Sequence, residues 1–112
     1  MATPFRLDKE SILERLGDDE EIYAMMVDMY VQDVDHICEA LAGAMNSGDG
    51  KAVQREAHTI KGLLASFSDN EGAAEALSIE NSARLGNLSA LEDAVLSLQA
   101  RVREVAAVLE GR

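Results

Sequence analysis

The chain of 112 residues has no tryptophan, one proline at position 4, one cysteine at position 38, and only two tyrosines and two phenylalanines. Each scarcity excludes something. A single cysteine forbids an internal disulfide, and Cys38 lies in a helical apolar pattern where it reads as a small core residue rather than a reactive thiol. No apolar run is long enough for a membrane span or a secretory leader, so the cytoplasm is the expected location. No Gly-rich phosphate loop is present to cradle ATP, and no Ser or Cys nucleophile has a recognisable partner. The two histidines, His36 and His58, fall on different expected helices without an HExxH pattern or a cysteine cluster, so no metal site is expected. The scarcity of proline and aromatics leaves Ala, Leu, Val and Met to supply the apolar content. With glycines at the probable helix ends, this favours an all-helical chain.

What is abundant is negative charge. The formal net charge is -11, which opposes association with a phosphate backbone or an anionic bilayer, so neither nucleic acid nor membrane is an expected partner. Apolar residues make up 47% of the chain, enough for one folded domain.

The helical pattern can be followed along the chain. After an extended lead-in, with Phe5 and Leu7 able to pack on a core edge, Asp8 caps a short helix that Gly17 ends. Asp18 or Asp19 caps a long helix reaching about Met45, with Glu20 and Glu21 in its first turn. Its apolar stripe is Ile22, Met26, Tyr30, Val34, Ile37, Leu41 and Met45. Met25, Met26, Met29 and Met45 are expected in the core or at its edge, and His36 off the stripe in solvent. Asn46 to Gly50 is a turn in which Asp49 caps a central helix ending near Phe67. Ser68-Asp69-Asn70-Glu71 has the form of a capping box and starts an Ala-rich helix that runs to about Leu85. Gly86-Asn87 stops it, and Leu88, Leu91, Val95, Leu98, Val102, Val105 and Leu109 mark the last helix. Short connections and even three-four spacing predict an all-α, antiparallel up-and-down four-helix bundle with a short additional N-terminal helix. It forms a single domain over 1-112, with its core at about 8-110.

The central helix carries the chemistry. Val53, Ala57, Ile60, Leu64 and Phe67 form one face, and His58 stands about 100° from Ala57, at the border of that face. Lys61 and Gly62, three and four residues on, share its surface. Glycine in mid-helix costs about 1 kcal/mol relative to alanine, so its presence there points to a need for space. Lys51, Arg55 and Lys61 against Glu56 alone give the stretch Lys51 to Phe67 a local balance of +2 inside an acidic protein. An exposed imidazole keeps a free lone pair near neutrality, and a neighbouring Lys61 cation disfavours its protonated form. If the ring takes up a phosphoryl group, Lys61, with Lys51 or Arg55 one or two turns back, offsets the new charge. Gly62 and Ala65 leave the next turn unobstructed. The site can hold a phosphoryl group, but nothing in the chain would mobilise one.

Ala57-His58-Thr59-Ile60-Lys61-Gly62 resembles the Ala-His-x-Leu-Lys-Gly motif of the histidine-containing phosphotransfer (HPt) domains of multistep two-component phosphorelays. The resemblance spans nearly the whole chain. Asp8 to Leu16 followed by Gly17 resembles the family's opening helix, and Met29 to Asp33 its aromatic-then-acidic stretch. Ser47-Gly48-Asp49 resembles the turn before the active helix, and Ile79-Glu80 falls where a Leu-Glu pair is common. One departure is Ser68, where the family often has glycine ten residues after the histidine. The resemblance implies a four-helix bundle in which His58 accepts a phosphoryl group through Nε2 from a receiver-domain aspartate and passes it to another receiver. Lys61 would neutralise the phosphate and Gly62 would admit the receiver's rim. Lys51, Gln54, Arg55 and Ala65 are candidate docking residues. The partners implied are response-regulator receivers and a hybrid sensor kinase. The chain would have no kinase activity and no cofactor of its own, the receiver would bring Mg²⁺, and the protein is expected to be a monomer. The alternatives are a phosphoacceptor domain of a hybrid or chemotaxis-type sensor kinase, and a bundle that binds a receiver without transfer. Arg55 fits the chemotaxis pattern loosely, but the second histidine of that pattern is missing.

Overall fold

Asp8, Asp19, Asp49 and Asp69 each begin a helix. Their carboxylates accept hydrogen bonds from the otherwise unpaired backbone N–H groups of Ser11, of Glu21 and Ile22, of Ala52, and of Gly72. The helices that follow are α1 (Lys9–Arg15), α2 (Glu20–Asn46), α3 (Gly50–Ser66) and α4 (Asn70–Arg84). The last helix, α5 (Glu92–Leu109), grows instead out of a single 3-10 turn, Ser89–Leu91, with no side-chain cap. This computed structural model describes residues 3–111, and the terminal Met1, Ala2 and Arg112 of the expected single domain lie outside the described residues. Among the described residues there are five α-helices and no strand.

The ends of α1 to α4 share one device. Gly17, Gly48, Ser68 and Gly86 have φ of 68°, 69°, 62° and 83°. The residue after each donates its N–H to a carbonyl five positions back, which closes the helix. Ser68 therefore does the work of a C-terminal glycine, and the expected capping box does not form. Asp69 is the N-cap of α4, while the Ser68 hydroxyl accepts a hydrogen bond from Arg15 Nη1 at 3.0 Å. The competing signal was the aspartate one position later, which caps as well as serine and leaves Ser68 to turn the corner.

The four long helices form a ring in which α3 and α4 pack most closely, α2 meets α3 and α5, and α4 meets α5. Hydrogen bonds across the seams show the antiparallel order. Tyr30 reaches the carbonyl of Val102 while Gln99 reaches that of Cys38, and Arg101 pairs with Asp69 while Ser97 pairs with Glu75. The 27 residues of α2, at about 1.5 Å rise each, account for the 42 Å long axis. The all-α up-and-down bundle with its short extra helix is the observed architecture.

The stripes of α3 and α5 match their expected faces. Val53, Ala57, Ile60, Leu64 and Phe67 are all buried, as are Leu91, Val95, Leu98, Val102 and Val105. In α2 the buried line is Tyr23, Tyr30, Val34, Cys38, Leu41 and Ala44, shifted by a residue at both ends. Ile22 consequently points outward, and Met25 and Met29 are exposed rather than packed in the core. The short α1 makes only a small contact with α2. Between α2 and the end of α3 lies a shallow, mainly apolar groove lined by Met26, Met29, Tyr30, Ile37, Leu63 and Phe67, with Asp33 and Ser66 at its polar part.

Candidate functional site

His58 stands in the middle of α3 because Ala57 and Ile60 beside it are held in the core. Its side chain is 66% exposed. Ring atom Nδ1 lies 3.1 Å from Glu80 Oε2, on α4. The other oxygen of the same carboxylate, Oε1, accepts a hydrogen bond from Lys61 Nζ at 2.9 Å. Glu80, only 17% exposed, thus bridges the two α3 side chains that the sequence singles out. The Lys61 ammonium holds the Glu80 carboxyl below the ordinary carboxylate range, against the opposing effect of burial and with a smaller contribution from His58.

This arrangement corrects the expected electrostatics. Lys61 does not face the ring as a bare cation. Its charge is met by Glu80, and the ring's nearest charged neighbour is a carboxylate. Counting Glu80 with Glu56 against Lys51, Arg55 and Lys61 lowers the local balance from +2 to +1. Arg55 also lies 3.5 Å from Glu56.

The carboxylate has a chemical consequence at the far side of the ring. Accepting a hydrogen bond from Nδ1–H fixes the proton there and leaves the lone pair on Nε2. No hydrogen bond to Nε2 is found among the described residues. Gly62, one turn on, is exposed, and a Cβ added there would meet nothing within 4 Å. The chain itself therefore has no packing reason for a glycine at that position. Lys51, Arg55 and Ala65 are exposed and Gln54 is partly so, all on helical turns that bring them to the His58 side. Arg84, four residues after Glu80, extends the same side of α4. His36 is exposed on α2, and no group of three or more metal-ligating side chains occurs among the described residues.

Reading the sequence residue by residue misses the bridging role of Glu80. The signal lay in the corner. A hairpin of antiparallel helices that bends at Ser68 brings a residue about three turns into α4 beside one about three turns back in α3.

An exposed imidazole backed by a carboxylate and a lysine thus stands on one helix of an up-and-down bundle. The family model for the Hpt domain matches residues 25–108, and the chain belongs to that family, whose domains perform histidine phosphotransfer in phosphorelays. No curated protein matches the chain in sequence. Among solved structures, it is similar to histidine-containing phosphotransfer protein B (HptB) of Pseudomonas aeruginosa. That match has 22% identity and a TM-score of 0.85, and covers 97% of this chain and 95% of that one. It is also similar to the HPT domain of a hybrid histidine kinase of Shewanella, at 15% identity and a TM-score of 0.80, covering 94% and 91%. At these identities the likeness is one of fold. Among the described residues no helix is long and apolar enough to cross a membrane.

Proposed function

We propose that His58 is the phosphoacceptor, taking a phosphoryl group from the aspartyl phosphate of a receiver domain and returning it to the aspartate of another. The observation that carries this reading is the Glu80 bridge, with one oxygen on His58 Nδ1 and the other on Lys61. The Nε2 lone pair attacks phosphorus, the P–O bond to the receiver aspartate breaks, and the carboxylate leaves with the electron pair. No proton has to move, because Nδ1 already carries it. The ring becomes cationic as the N–P bond forms, and Glu80 stabilises that charge through Nδ1–H. Lys61, on the next turn of the helix, shares its ammonium between Glu80 and the incoming phosphoryl oxygens. Reversal uses the same groups.

Gly62 gives the receiver's active-site rim room to approach Nε2. Lys51, Gln54, Arg55 and Ala65 form the docking face with Arg84, and the apolar groove at Met29 and Leu63 continues it toward α2. The chain needs no cofactor of its own; Mg²⁺ belongs to the receiver. It acts as a cytoplasmic monomer without kinase activity, between receivers and a hybrid sensor kinase.

The test is transfer from receivers of the source organism carrying labelled aspartyl phosphate. Label should pass to the wild-type chain in an acid-labile bond and should not pass to His58→Gln. Label that persists in His58→Gln would refute the assignment.

A further inference from the structure

The helix that brings Glu80 to His58 has a smooth inner face. The buried residues of α4 are Gly72, Ala76, Ile79 and Ala83, so one isoleucine is the only large side chain among them. Small residues let α4 approach α3 closely, but they give little interlocking against a slide along the axis or a rotation about it. A slide of one turn, about 5.4 Å, would carry Glu80 out of reach of both His58 and Lys61.

The first turn of α4 holds a directional contact instead. Arg101 of α5, 5% exposed, donates from Nε to Asp69 Oδ2 at 2.9 Å and from Nη2 to Asp69 Oδ1 at 2.7 Å. Asp69, 2% exposed, also caps α4 by accepting the Gly72 N–H. The remaining nitrogen of the fork, Nη1, donates to the carbonyl of Thr3, and the guanidinium lies 5.9 Å from the centre of the Phe5 ring. Gly72 leaves no slack, because a Cβ there would come within 2.1 Å of Asp69 Oδ2. Two parallel bonds between planar groups fix both the height and the rotation of the helix end they join.

We infer that the Asp69–Arg101 fork sets the register of α4 and thereby positions Glu80 against His58, so that Asp69 and Arg101 are positioning residues for the phosphoacceptor. A buried ion pair of this kind adds little net stability over an apolar replacement, so a role in fixing one arrangement fits it better than a role in stability alone. The inference rests on the reading of Glu80 as the holder of His58.

Ring ¹⁵N spectra of His58, recorded on the full chain above pH 8, separate the two claims. The wild type should show the Nδ1–H tautomer, and Glu80→Gln should shift the ring signals away from it. A wild-type ring without that tautomer refutes the Glu80 reading. Asp69→Ser/Arg101→Met keeps a hydroxyl cap and fills the arginine's volume. It should retain the helical content of the parent while its His58 signals move toward the tautomer mixture of an unrestrained histidine. A folded double variant with wild-type ring signals overturns the inference and leaves the Glu80 reading standing. If the double variant does not fold, Arg101→Lys decides. Lysine keeps the charge without the fork, so ring signals between those of wild type and Glu80→Gln support the inference, and unchanged signals overturn it.

Discussion

Asp69, at the N-cap of α4, and Glu80, three turns further on, each hold a cation from a neighbouring helix. The Asp69–Arg101 pair is buried and bidentate, with the Glu71 and Glu104 carboxylates 3.8 and 3.7 Å from the guanidinium. The Glu80 pair is divided between Lys61 and His58, at the edge of a surface where the ring is mostly exposed. A sealed fork can hold a helix in place but cannot be traded for another ligand. A half-exposed bridge can be traded, and in the proposed transfer Lys61 turns from a carboxylate to a phosphoryl group and back. One helix thus carries a fixed joint at its start and an exchangeable one in its middle.

Breaking one partner of the sealed joint should have the largest effect. Arg101→Leu leaves the Asp69 carboxylate buried and unpaired, and should cost about 3–5 kcal/mol in chemical denaturation. Gly72→Ala attacks the same joint from the side, because its methyl group has to displace Asp69 or Leu64. A loss of about 2–3 kcal/mol is expected, within the range of overpacked cores. Unchanged stability in either variant would mean that the α4 start is not tightly held.

At the exchangeable joint the effects on stability should be small and those on chemistry large. Glu80→Gln should cost about 1 kcal/mol or less, as partly exposed pairs do. Its pH dependence has a defined sign. Because Lys61 lowers the Glu80 pKa, the carboxylate's contribution is complete above the ordinary carboxylate value of about 4.3 and is lost as pH falls through its own lower value. The difference in melting temperature between wild type and Glu80→Gln should therefore still be present at pH 5 and shrink in stronger acid. Gly62→Ala should give the smallest change in stability, and with the opposite sign to Gly72→Ala. It meets empty space, so the helix should gain up to about 1 kcal/mol. The larger Gly62→Gln should leave the fold intact and slow transfer by about tenfold or more, through crowding of the approach to Nε2. A glutamine there with unaltered transfer would remove the steric role of Gly62.

The same division marks what the sequence makes legible. The stripe through Val53, Ala57, Ile60, Leu64 and Phe67 is local and periodic, so the faces of α3 and the exposed place of His58 follow from counting. The caps at Asp8, Asp49 and the end at Gly86 are equally local. The α2 face runs through Tyr23, Cys38 and Ala44 rather than Ile22, Ile37 and Met45, which leaves Ile22, Met25 and Met29 outside. Ser68 at φ 62° was hidden because two adjacent residues could each cap α4. Arg101 and Glu80 are long-range partners. An arginine reads as solvated until Asp69 is known to be 32 residues away in sequence and 2.7 Å away in space. The bridging carboxylate needs the hairpin before it has a meaning.

Glu80, by holding Nδ1 of His58, should direct the phosphoryl group to Nε2. After transfer from a phosphorylated receiver onto ¹⁵N-histidine-labelled protein, ³¹P–¹⁵N coupling identifies the bonded nitrogen directly. Coupling to Nε2 of His58 alone is expected. Coupling to Nδ1, or to His36, would contradict it.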